Sequence, residues 1–236
     1  MFCVRLGRLR SLKTFALIPV KKLSKSKERL SMVFKPEERK RFVLSMLEDI
    51  LRVTSSSVLH QTVVIGSDRI VQLVAEKFDA YFLPESGGGL NDALRYAVSL
   101  CEKRGAKAVL ILPADIPLMK ERDLNEIIHL SWKASVVISP SMDGGTNALM
   151  LKPPNVIKTC FGPRSFKKHI DEALKKGIPV RVYRSPGISL DIDSIQDLKT
   201  LLKVGKGKAC HRFLMQIKMN VRLKEIEPSA RFLNLL

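Results

Sequence analysis

The sequence has few cysteines and no long hydrophobic run, and both absences narrow the class of protein. Cys3, Cys101, Cys160 and Cys210 lie far apart without a CxxC pair, which argues against a thiolate metal site and makes a reducing cytosol the simplest compartment. No stretch approaches the roughly 18 apolar residues of a membrane-spanning helix. With three Tyr and one Trp, the chain also lacks the aromatic platforms that single-strand nucleic-acid binders need.

Acidic residues are outnumbered in this chain. It carries 41 Lys and Arg against 23 Asp and Glu, a formal net charge of +18. More than half of this surplus lies in residues 1–13 and 203–236. Residues 1–13 have four basic residues, no acidic residue and no apolar run of seven, so a secretory signal is not expected. The remaining surplus suits an enzyme with polyanionic substrates and equally a weak RNA binder, and charge alone does not separate them.

Short apolar runs alternate with amphipathic stretches from Phe15 onward. Within these runs, apolar residues do not alternate with polar ones, as they would in a strand with one solvated face, and helical stretches separate the runs. They therefore predict an α/β fold with a mostly parallel central sheet and helices on both faces. Pro36 and Asn91 are typical helix-start residues, and Gly105 and Gly177 are typical stops. The predicted strands are 15–20, 62–66, 80–83, 108–112, 135–139, 148–151 and 180–183, and the predicted helices begin at 36 and cover about 68–77, 91–104, 121–131, 164–176 and 194–203.

The chain divides into three parts. A basic N-terminal extension, residues 1–14, precedes one α/β domain, residues 15–203, and a basic C-terminal extension of unknown role, residues 204–236, follows it. The C-terminal extension is expected to dock on the domain or on a partner, which leaves a homodimer open. Ligands of such sheets bind beyond the carboxyl ends of the strands, so site residues are expected in the loops that follow the strands.

Two of these loops have the composition of phosphate-binding segments. The loop after the first strand contains Lys27 and Arg29 among other basic residues, which fits a phosphate cradle or, as the more common case, a solvated basic loop. It is not a Walker A loop, because GxxxxGK[ST] is absent. After the third strand, Gly87–Gly89 allow a close backbone approach to a ligand, and Asn91 can cap the next helix. Such glycine turns are also common for structural reasons alone.

Three aspartates stand out near strand ends. Asp115 follows the fourth strand, between Pro113 and Pro117, where a carboxylate is costly unless it is hydrogen-bonded, paired or metal-bound. Its alternative role is to cap the helix after Pro117. Asp191 and Asp193 are two residues apart, so in an extended segment both side chains lie on one face. Together the three carboxylates would form a hard oxygen site suited to Mg2+.

Further polar residues occur where a strand and a helix begin. Thr146 and Asn147 can present a hydroxyl and an amide to an anion, and Gly162 and Ser165 lie where a helix would begin, another anion-binding position. In the simpler interpretation Ser165 is an ordinary first-turn residue. His169 has no second His or Cys near it in the sequence, and it is expected to be packed or solvated rather than catalytic.

Several motifs, taken in order, resemble a single family. They are LIPVK, the KERL of residues 27–30, the GLN of residues 89–91, LPADIPL, GGTNALML, FGPRSFKKH and DIDSIQDL. In order and spacing they resemble the 2-phospho-L-lactate guanylyltransferase family of deazaflavin coenzyme biosynthesis. The resemblance covers about residues 15–203 and implies a compact, Rossmann-like nucleotidyltransferase fold for this domain. Both extensions fall outside it.

The resemblance also implies roles for individual residues. It implies that a divalent metal, taken as Mg2+, is bound by Asp115, Asp191 and Asp193. It implies that the phosphorylated three-carbon acid is held by Thr146, Gly162 and Ser165. It places Lys27 and Arg29 near the triphosphate of GTP, as catalytic and nucleotide-binding residues. It places a second nucleotide-binding set near the rest of the nucleotide: Gly88, Gly89 and Asn91.

The implied reaction joins GTP and 2-phospho-L-lactate to lactyl-diphospho-guanosine and releases pyrophosphate. A phosphomonoester, with a second pKa of about 6, is already dianionic at neutral pH and needs no general base. A different nucleotide, or phosphoenolpyruvate or 3-phosphoglycerate as the acid, would require the same residue types, so the sequence does not separate these substrates. An RNA-binding protein is the alternative from another class, and it would leave the three carboxylates unexplained.

Overall fold

The computed structural model describes residues 12–85 and 87–226, with side chains up to residue 223. The predictions made for residues 1–11 and 227–236 lie outside these ranges. The described chain contains a seven-stranded sheet in the order β3-β2-β1-β4-β6-β5-β7. Its strands are β1 Thr14–Pro19, β2 Gln61–Gly66, β3 Tyr81–Pro84, β4 Ala108–Ile111, β5 Val136–Pro140, β6 Thr146–Leu151 and β7 Val180–Val182.

The sheet is mostly parallel, as the sequence predicts. Strand β6 is the exception, because it runs antiparallel to both of its neighbours, β4 and β5. The antiparallel direction brings the start of β6, with Thr146 and Asn147, to the edge of the sheet where β4 and β5 end. The residues proposed for anion binding therefore lie at the same edge as the loop that follows β4.

Helices cover both faces of the sheet, which confirms the predicted α/β class. They are α1 Pro36–Ser55, α2 Arg69–Glu76, α3 Leu90–Lys103, α4 Glu121–Leu130, α5 Ser165–Lys175, α6 Pro186–Ser189, α7 Ile195–Val204, α8 Ala209–Gln216 and α9 Met219–Ile226. Alternate strand residues point to opposite faces. Ile18 and Leu110 join the core beneath α1, α2, α4, α7 and α8, whereas Leu17 and Ile111 join the core beneath α3 and α5. No helix in the described ranges has the length and apolarity needed to cross a membrane.

The first part of the C-terminal extension packs on the domain through α8. Phe213 stacks on the buried ring of Phe42 in α1, with 6.3 Å between ring centroids. The buried carboxylate of Asp49 accepts hydrogen bonds from the backbone N–H groups of Ala209 at 2.7 Å and Cys210 at 2.9 Å. These are first-turn N–H groups of α8 that have no partner within the helix. Asp49 therefore fixes the N-terminus of α8 against α1.

A second contact lies at the start of α1, where the guanidinium of Arg222 donates to both carboxylate oxygens of Glu38 at 2.8 and 2.9 Å. The predicted domain boundary at residue 203 would separate all of these partners. We propose instead that the folding unit of this domain includes α8 and continues at least to Arg222.

Candidate active site

A cavity of about 590 Å³ opens at the edge of the sheet where β1, β2 and β4 end. Pro19 and Val20 line it at the end of β1, and Pro113–Asp115 line it after β4. Helix α1 contributes Val43 and Met46 to its wall. The cavity thus occupies the position in which parallel α/β sheets bind their ligands.

Lys27 is positioned by a tight, partly buried turn rather than by a solvated loop. After β1 the chain forms two short 3-10 turns, Leu23–Lys25 and Glu28–Leu30. Leu23 and Leu30 are buried, and the N–H of Leu23 donates to the carboxylate of Asp68 at 2.9 Å. Lys27 has a left-handed φ of 53°, a conformation that is uncommon outside glycine and often marks a functional constraint. The other basic side chains of this segment are exposed: Lys21, Lys22, Lys25 and Arg29.

The ammonium of Lys27 is bound by two of the three predicted metal ligands. Its Nζ donates to Asp115 Oδ2 at 2.7 Å and to Asp193 Oδ1 at 2.5 Å, and 7% of the lysine side chain is exposed. Burial lowers the pKa of Lys27, but the charges and hydrogen bonds of the two carboxylates outweigh burial, so the pKa is raised. Asp115 and Asp193 are therefore both paired with a cation of the protein.

The segment that carries Asp191 and Asp193 is attached to the loop after β4. Ile192, between them, is fully buried, and its N–H donates to the backbone oxygen of Asp115 at 3.0 Å. Asp191 Oδ1 accepts a hydrogen bond from Asn147 Nδ2 at 3.1 Å, so Asp191 also has a partner. Burial is the main reason that the pKa of Asp191 is raised; the Asn147 hydrogen bond opposes the increase, and the charges of Asp115 and Asp193 add to it. Repulsion between the carboxylates is therefore the smaller cause.

The chemistry of these three side chains fits a divalent cation. Carboxylate oxygens are the ligands that Mg2+ prefers, and Asp115 and Asp193 already share one cation, the ammonium of Lys27. As the side chains stand, no group of three or more His, Cys, Asp or Glu residues within the described ranges could hold a metal ion. Two of the proposed donors, Asp115 and Asp193, are occupied by the ammonium of Lys27.

Thr146, Ser165 and His169 form a second cluster at the start of α5. Ser165 Oγ donates to Thr146 Oγ1 at 3.1 Å, and Thr146 Oγ1 lies 3.1 Å from His169 Nδ1. His169 Nε2 accepts from the N–H of Cys160 at 2.8 Å, so the neutral ring carries its proton on Nδ1 and donates it to Thr146. Because Thr146 Oγ1 accepts from both neighbours, its own hydroxyl hydrogen is available to a ligand. The expectation that His169 is packed is confirmed, since it is fully buried.

Acidification should destabilise the protein through His169. Burial, with a smaller contribution from the charge of Lys168, lowers the pKa of His169 from 6.5 to about 4. The unfolded chain therefore binds this proton more readily. The contribution of the neutral His169 ring to the free energy of unfolding is fully present above pH 6.5. It is lost as the pH falls toward about 4, by up to about 1.4 kcal/mol per pH unit. Urea unfolding of the wild type and of His169→Gln across this interval measures the effect. The variant should lack this part of the pH slope, and identical slopes would contradict the assignment.

The glycine loop before α3 reaches the cavity, but Asn91 does not act as a cap. Gly89 lines the cavity, and φ is 87° at both Gly88 and Gly89, a conformation that favours glycine. Asn91 Nδ2 donates to the backbone oxygen of Phe161 at 3.0 Å, and its Oδ1 accepts from the N–H of Phe161 at 2.8 Å. The predicted capping role of Asn91 is therefore wrong. Its amide instead attaches the segment before α5 to the start of α3.

The residues predicted from the sequence thus fall into two neighbouring groups. The cavity is lined by Lys27, Gly89, Asp115 and Asp193, whereas Thr146 and Ser165 lie in the cluster at α5. Asn147, next to Thr146, connects the two groups through its bond to Asp191. Arg29 does not line the cavity. It lies near Asp143, whose pKa is lowered mainly by a hydrogen bond from the Ser141 hydroxyl and to a lesser degree by the charge of Arg29.

Several residues that line the cavity were not predicted from the sequence. Val43 and Met46 belong to the apolar stripe of α1, and Leu90 is the first residue of α3. None of these differs in type from an ordinary core residue. Glu85 did carry a signal, because it is a charged residue two positions after the predicted strand 80–83, in the region where ligands of such sheets bind.

Proteins with the same fold include nucleotide-transferring enzymes. A cytidylyltransferase from Leptospira borgpetersenii superposes with a TM-score of 0.56 at 15% identity, covering 90% of this chain and 96% of that chain. At 15% identity this likeness shows the fold alone. The class comes from the family match: residues 14–233 match the model of the family described as "Guanylyl transferase CofC like", so the protein is a nucleotidyltransferase. More narrowly, the chain belongs to this family of guanylyltransferases.

Two relatives that are similar to this chain are named for different phosphorylated acids. The phosphoenolpyruvate guanylyltransferase of Rubrobacter xylanophilus is 37% identical over 189 residues, which are 79% of this chain and 92% of the relative. The 2-phospho-L-lactate guanylyltransferase of Methanothermobacter thermautotrophicus is 34% identical over 212 residues, 89% of this chain and 94% of the relative. The family match extends into α8 and α9, beyond the 15–203 range of the resemblance, which was therefore drawn too short.

Proposed function

We propose that this guanylyltransferase transfers the guanylyl group of GTP to 2-phospho-L-lactate and releases pyrophosphate, as a step of deazaflavin coenzyme biosynthesis. The observation that carries this proposal is the Lys27 ammonium held between Asp115 and Asp193 in the lining of a cavity of about 590 Å³. Such a group of charges is suited to a polyanion that reacts at phosphorus. Phosphoenolpyruvate is the first alternative acid, because a relative of similar identity is named for it; 3-phosphoglycerate is the second.

The proposed reaction makes one P–O bond and breaks another. A phosphate oxygen of the acid attacks the α-phosphorus of GTP in line. The bond from the α-phosphorus to the bridging oxygen breaks, and pyrophosphate leaves with the electron pair. The attacking phosphomonoester, with a second pKa of about 6, is a dianion at neutral pH and needs no general base. The burial of His169, which keeps its ring neutral and engaged with Thr146, is consistent with this.

Basic residues and backbone groups would bind the nucleotide. Lys27 is the catalytic cation: its ammonium neutralises charge on the phosphates once it leaves the carboxylates. Arg29, exposed near Asp143, would approach the phosphates from the side of the acid. Gly88 and Gly89 would let the backbone approach the nucleotide closely.

Asp115, Asp191 and Asp193 would hold Mg2+. When bound, this ion supplies charge neutralisation at the reacting phosphates. Asn147 keeps Asp191 oriented through its hydrogen bond, and the buried Ile192 keeps both aspartates beside Asp115. The hydrogen bond from Asn147 and the burial of Ile192 are present in the folded chain without the ion.

Thr146, Gly162 and Ser165 would bind the phosphate of the acid. Ser165 is the first residue of α5, where the positive end of the helix dipole favours an anion. The N–H groups of Ser165 and Phe166 already donate to the backbone oxygens of Gly162 and Gly144, so the dipole and the hydroxyl groups are what would attract the phosphate. Gly162 has a φ of 125°, and a Cβ added there would meet no atom within 4 Å. Its surroundings are therefore open, and backbone conformation is what favours glycine. His169 holds the Thr146 hydroxyl so that its hydrogen is available to the phosphate.

Pyrophosphate release from GTP, measured with each of the three acids in separate reactions, tests the proposal. We expect the largest kcat/KM with 2-phospho-L-lactate. A larger kcat/KM with phosphoenolpyruvate or 3-phosphoglycerate would replace the proposed acid and keep the reaction. Absence of release with every acid, from protein that still melts cooperatively, would reject the proposed reaction.

Ser165→Ala should weaken binding of the acid more than binding of GTP. The substitution removes a hydroxyl at the anion-binding end of α5 and its hydrogen bond to Thr146. Because a charge-assisted hydrogen bond contributes about 1.5–3 kcal/mol, the KM for the acid should rise at least about tenfold. The KM for GTP should change less than about threefold. Ser99→Ala, at an exposed position of α3, is the control. Equal increases in both KM values would show that Ser165 has only a structural role.

A further inference from the structure

The cavity contains one acidic residue that the reaction does not use. Glu85 follows β3, and its N–H donates to the backbone oxygen of Gly66 at 2.9 Å, which prolongs the pairing of β2 with β3. Glu85 is one of the residues that line the cavity, and among the described residues its carboxylate has no hydrogen-bond or ion-pair partner. A carboxylate that is held in place by its backbone and has no protein partner is suited to binding a ligand.

Glu85 lies far from the reacting phosphates. In the strand order β3-β2-β1-β4, the loop after β3 is separated from Asp115, after β4, by three strand spacings of about 4.8 Å each. Lys27, after β1, pairs with Asp115. A nucleotide whose α-phosphate lies at Lys27 and Asp115 would therefore extend its base toward Glu85.

Apolar residues of two helices form part of the cavity wall. Val43 and Met46 line it from α1, and Ala93 and Leu90 line it from α3. Leu90 is 42% exposed, which is unusual for a leucine at the wall of a cavity. A planar base inserted between α1 and α3 would cover this exposed side chain.

We propose that Glu85 recognises the guanine base by accepting hydrogen bonds from its N1–H and its 2-amino group. Guanine presents these two donors side by side, and a carboxylate offers two acceptors in the matching geometry, as in bidentate Arg–carboxylate pairs. Adenine and cytosine each present an acceptor beside a donor, and uracil presents a donor between two acceptors. Among the four common bases, guanine is therefore the one that satisfies both oxygens of Glu85. This inference rests on the proposed use of GTP and adds the residue that selects it.

Binding of GTP, ITP and ATP, measured by calorimetry with Mg2+ and without the acid, tests the assignment. ITP keeps N1–H but lacks the 2-amino group, so the wild type should bind GTP at least about tenfold more tightly than ITP, the value of one charge-assisted hydrogen bond. In Glu85→Ala this ratio should fall below about threefold. Glu121→Gln, at an exposed glutamate of α4, should keep the wild-type ratio.

Glu85→Gln separates base recognition from a structural role. The glutamine amide offers one donor and one acceptor, which complement the edge of adenine, so this variant should bind ATP at least about threefold more tightly than the wild type, whereas Glu85→Ala should not. A GTP-to-ITP ratio that is unchanged in both variants would overturn the proposal for Glu85. That result would leave the proposed reaction intact, because pyrophosphate release by the wild type is measured separately.

Discussion

A chain that ends at Lys203 is expected to lose cooperative folding. The truncation removes α8, whose Cys210 and Leu214 are fully buried and whose Phe213 covers Phe42. A single Phe-to-Ala change in a core costs about 3–5 kcal/mol, and a whole domain has a stability of about 5–15 kcal/mol. Removing several such side chains together, with the N–H partners of the buried Asp49, should therefore consume most of the stability.

Urea unfolding followed by circular dichroism measures this loss. A chain ending at residue 226, which keeps α8 and α9, is the matched control and should unfold as the full chain does. Phe213→Ala in the full chain should cost about 3 kcal/mol by itself. If the chain ending at Lys203 unfolds cooperatively at nearly the urea concentration of the full chain, α8 is a dispensable extension and the proposed folding unit is wrong.

Asp115→Asn is expected to reduce pyrophosphate release at least about a hundredfold, because several kcal/mol of charge stabilisation at the reacting phosphates depends on this carboxylate. Its effect on stability without ligands should be small. The substitution weakens the bond to Lys27, but it also relieves repulsion with Asp191 and Asp193, and Lys27 keeps Asp193 as a partner. Asp171→Asn, at a surface pair with Lys167, should keep wild-type turnover.

Lys27→Met, unlike Asp115→Asn, should lower the stability of the protein without ligands. Without the ammonium, three carboxylates repel one another, so the melting temperature without metal should fall. Added Mg2+ should then raise the melting temperature of Lys27→Met more than that of the wild type, in which the ammonium competes for Asp115 and Asp193. Equal responses of the two proteins to Mg2+ would show that the ion does not bind between these carboxylates.

The fold could be predicted from the sequence because its signals are local. Buried strands such as β4 are continuous apolar runs, and Pro36 is the first residue of α1, as predicted. Helix α8 was missed although Cys210, Phe213, Leu214 and Ile217 have helical spacing. The C-terminal extension was expected to dock on the domain or on a partner, and the sequence could not decide between them, because the surface on α1 that it contacts lies about 160 residues away in the sequence.

The candidate site could be predicted only in part, because its contacts are long-range. Position after a strand was enough to find Asp115. The pairing of Lys27 with Asp193 depends on a left-handed residue and on Ile192 docking beside Asp115, and neither feature has a local signature. Asn91 was misinterpreted for the same reason, since its partner, Phe161, is 70 residues away.

Transfer of label from GTP measures guanylyl transfer to the acid directly. The purified protein is incubated with Mg2+ and 2-phospho-L-lactate, and with GTP labelled at either the α- or the γ-phosphate. We expect α-label in a guanosine diphosphate ester of the acid, γ-label in pyrophosphate, and neither product with Asp115→Asn. Label in free GMP without any ester, or undiminished ester formation by Asp115→Asn, would contradict this expectation.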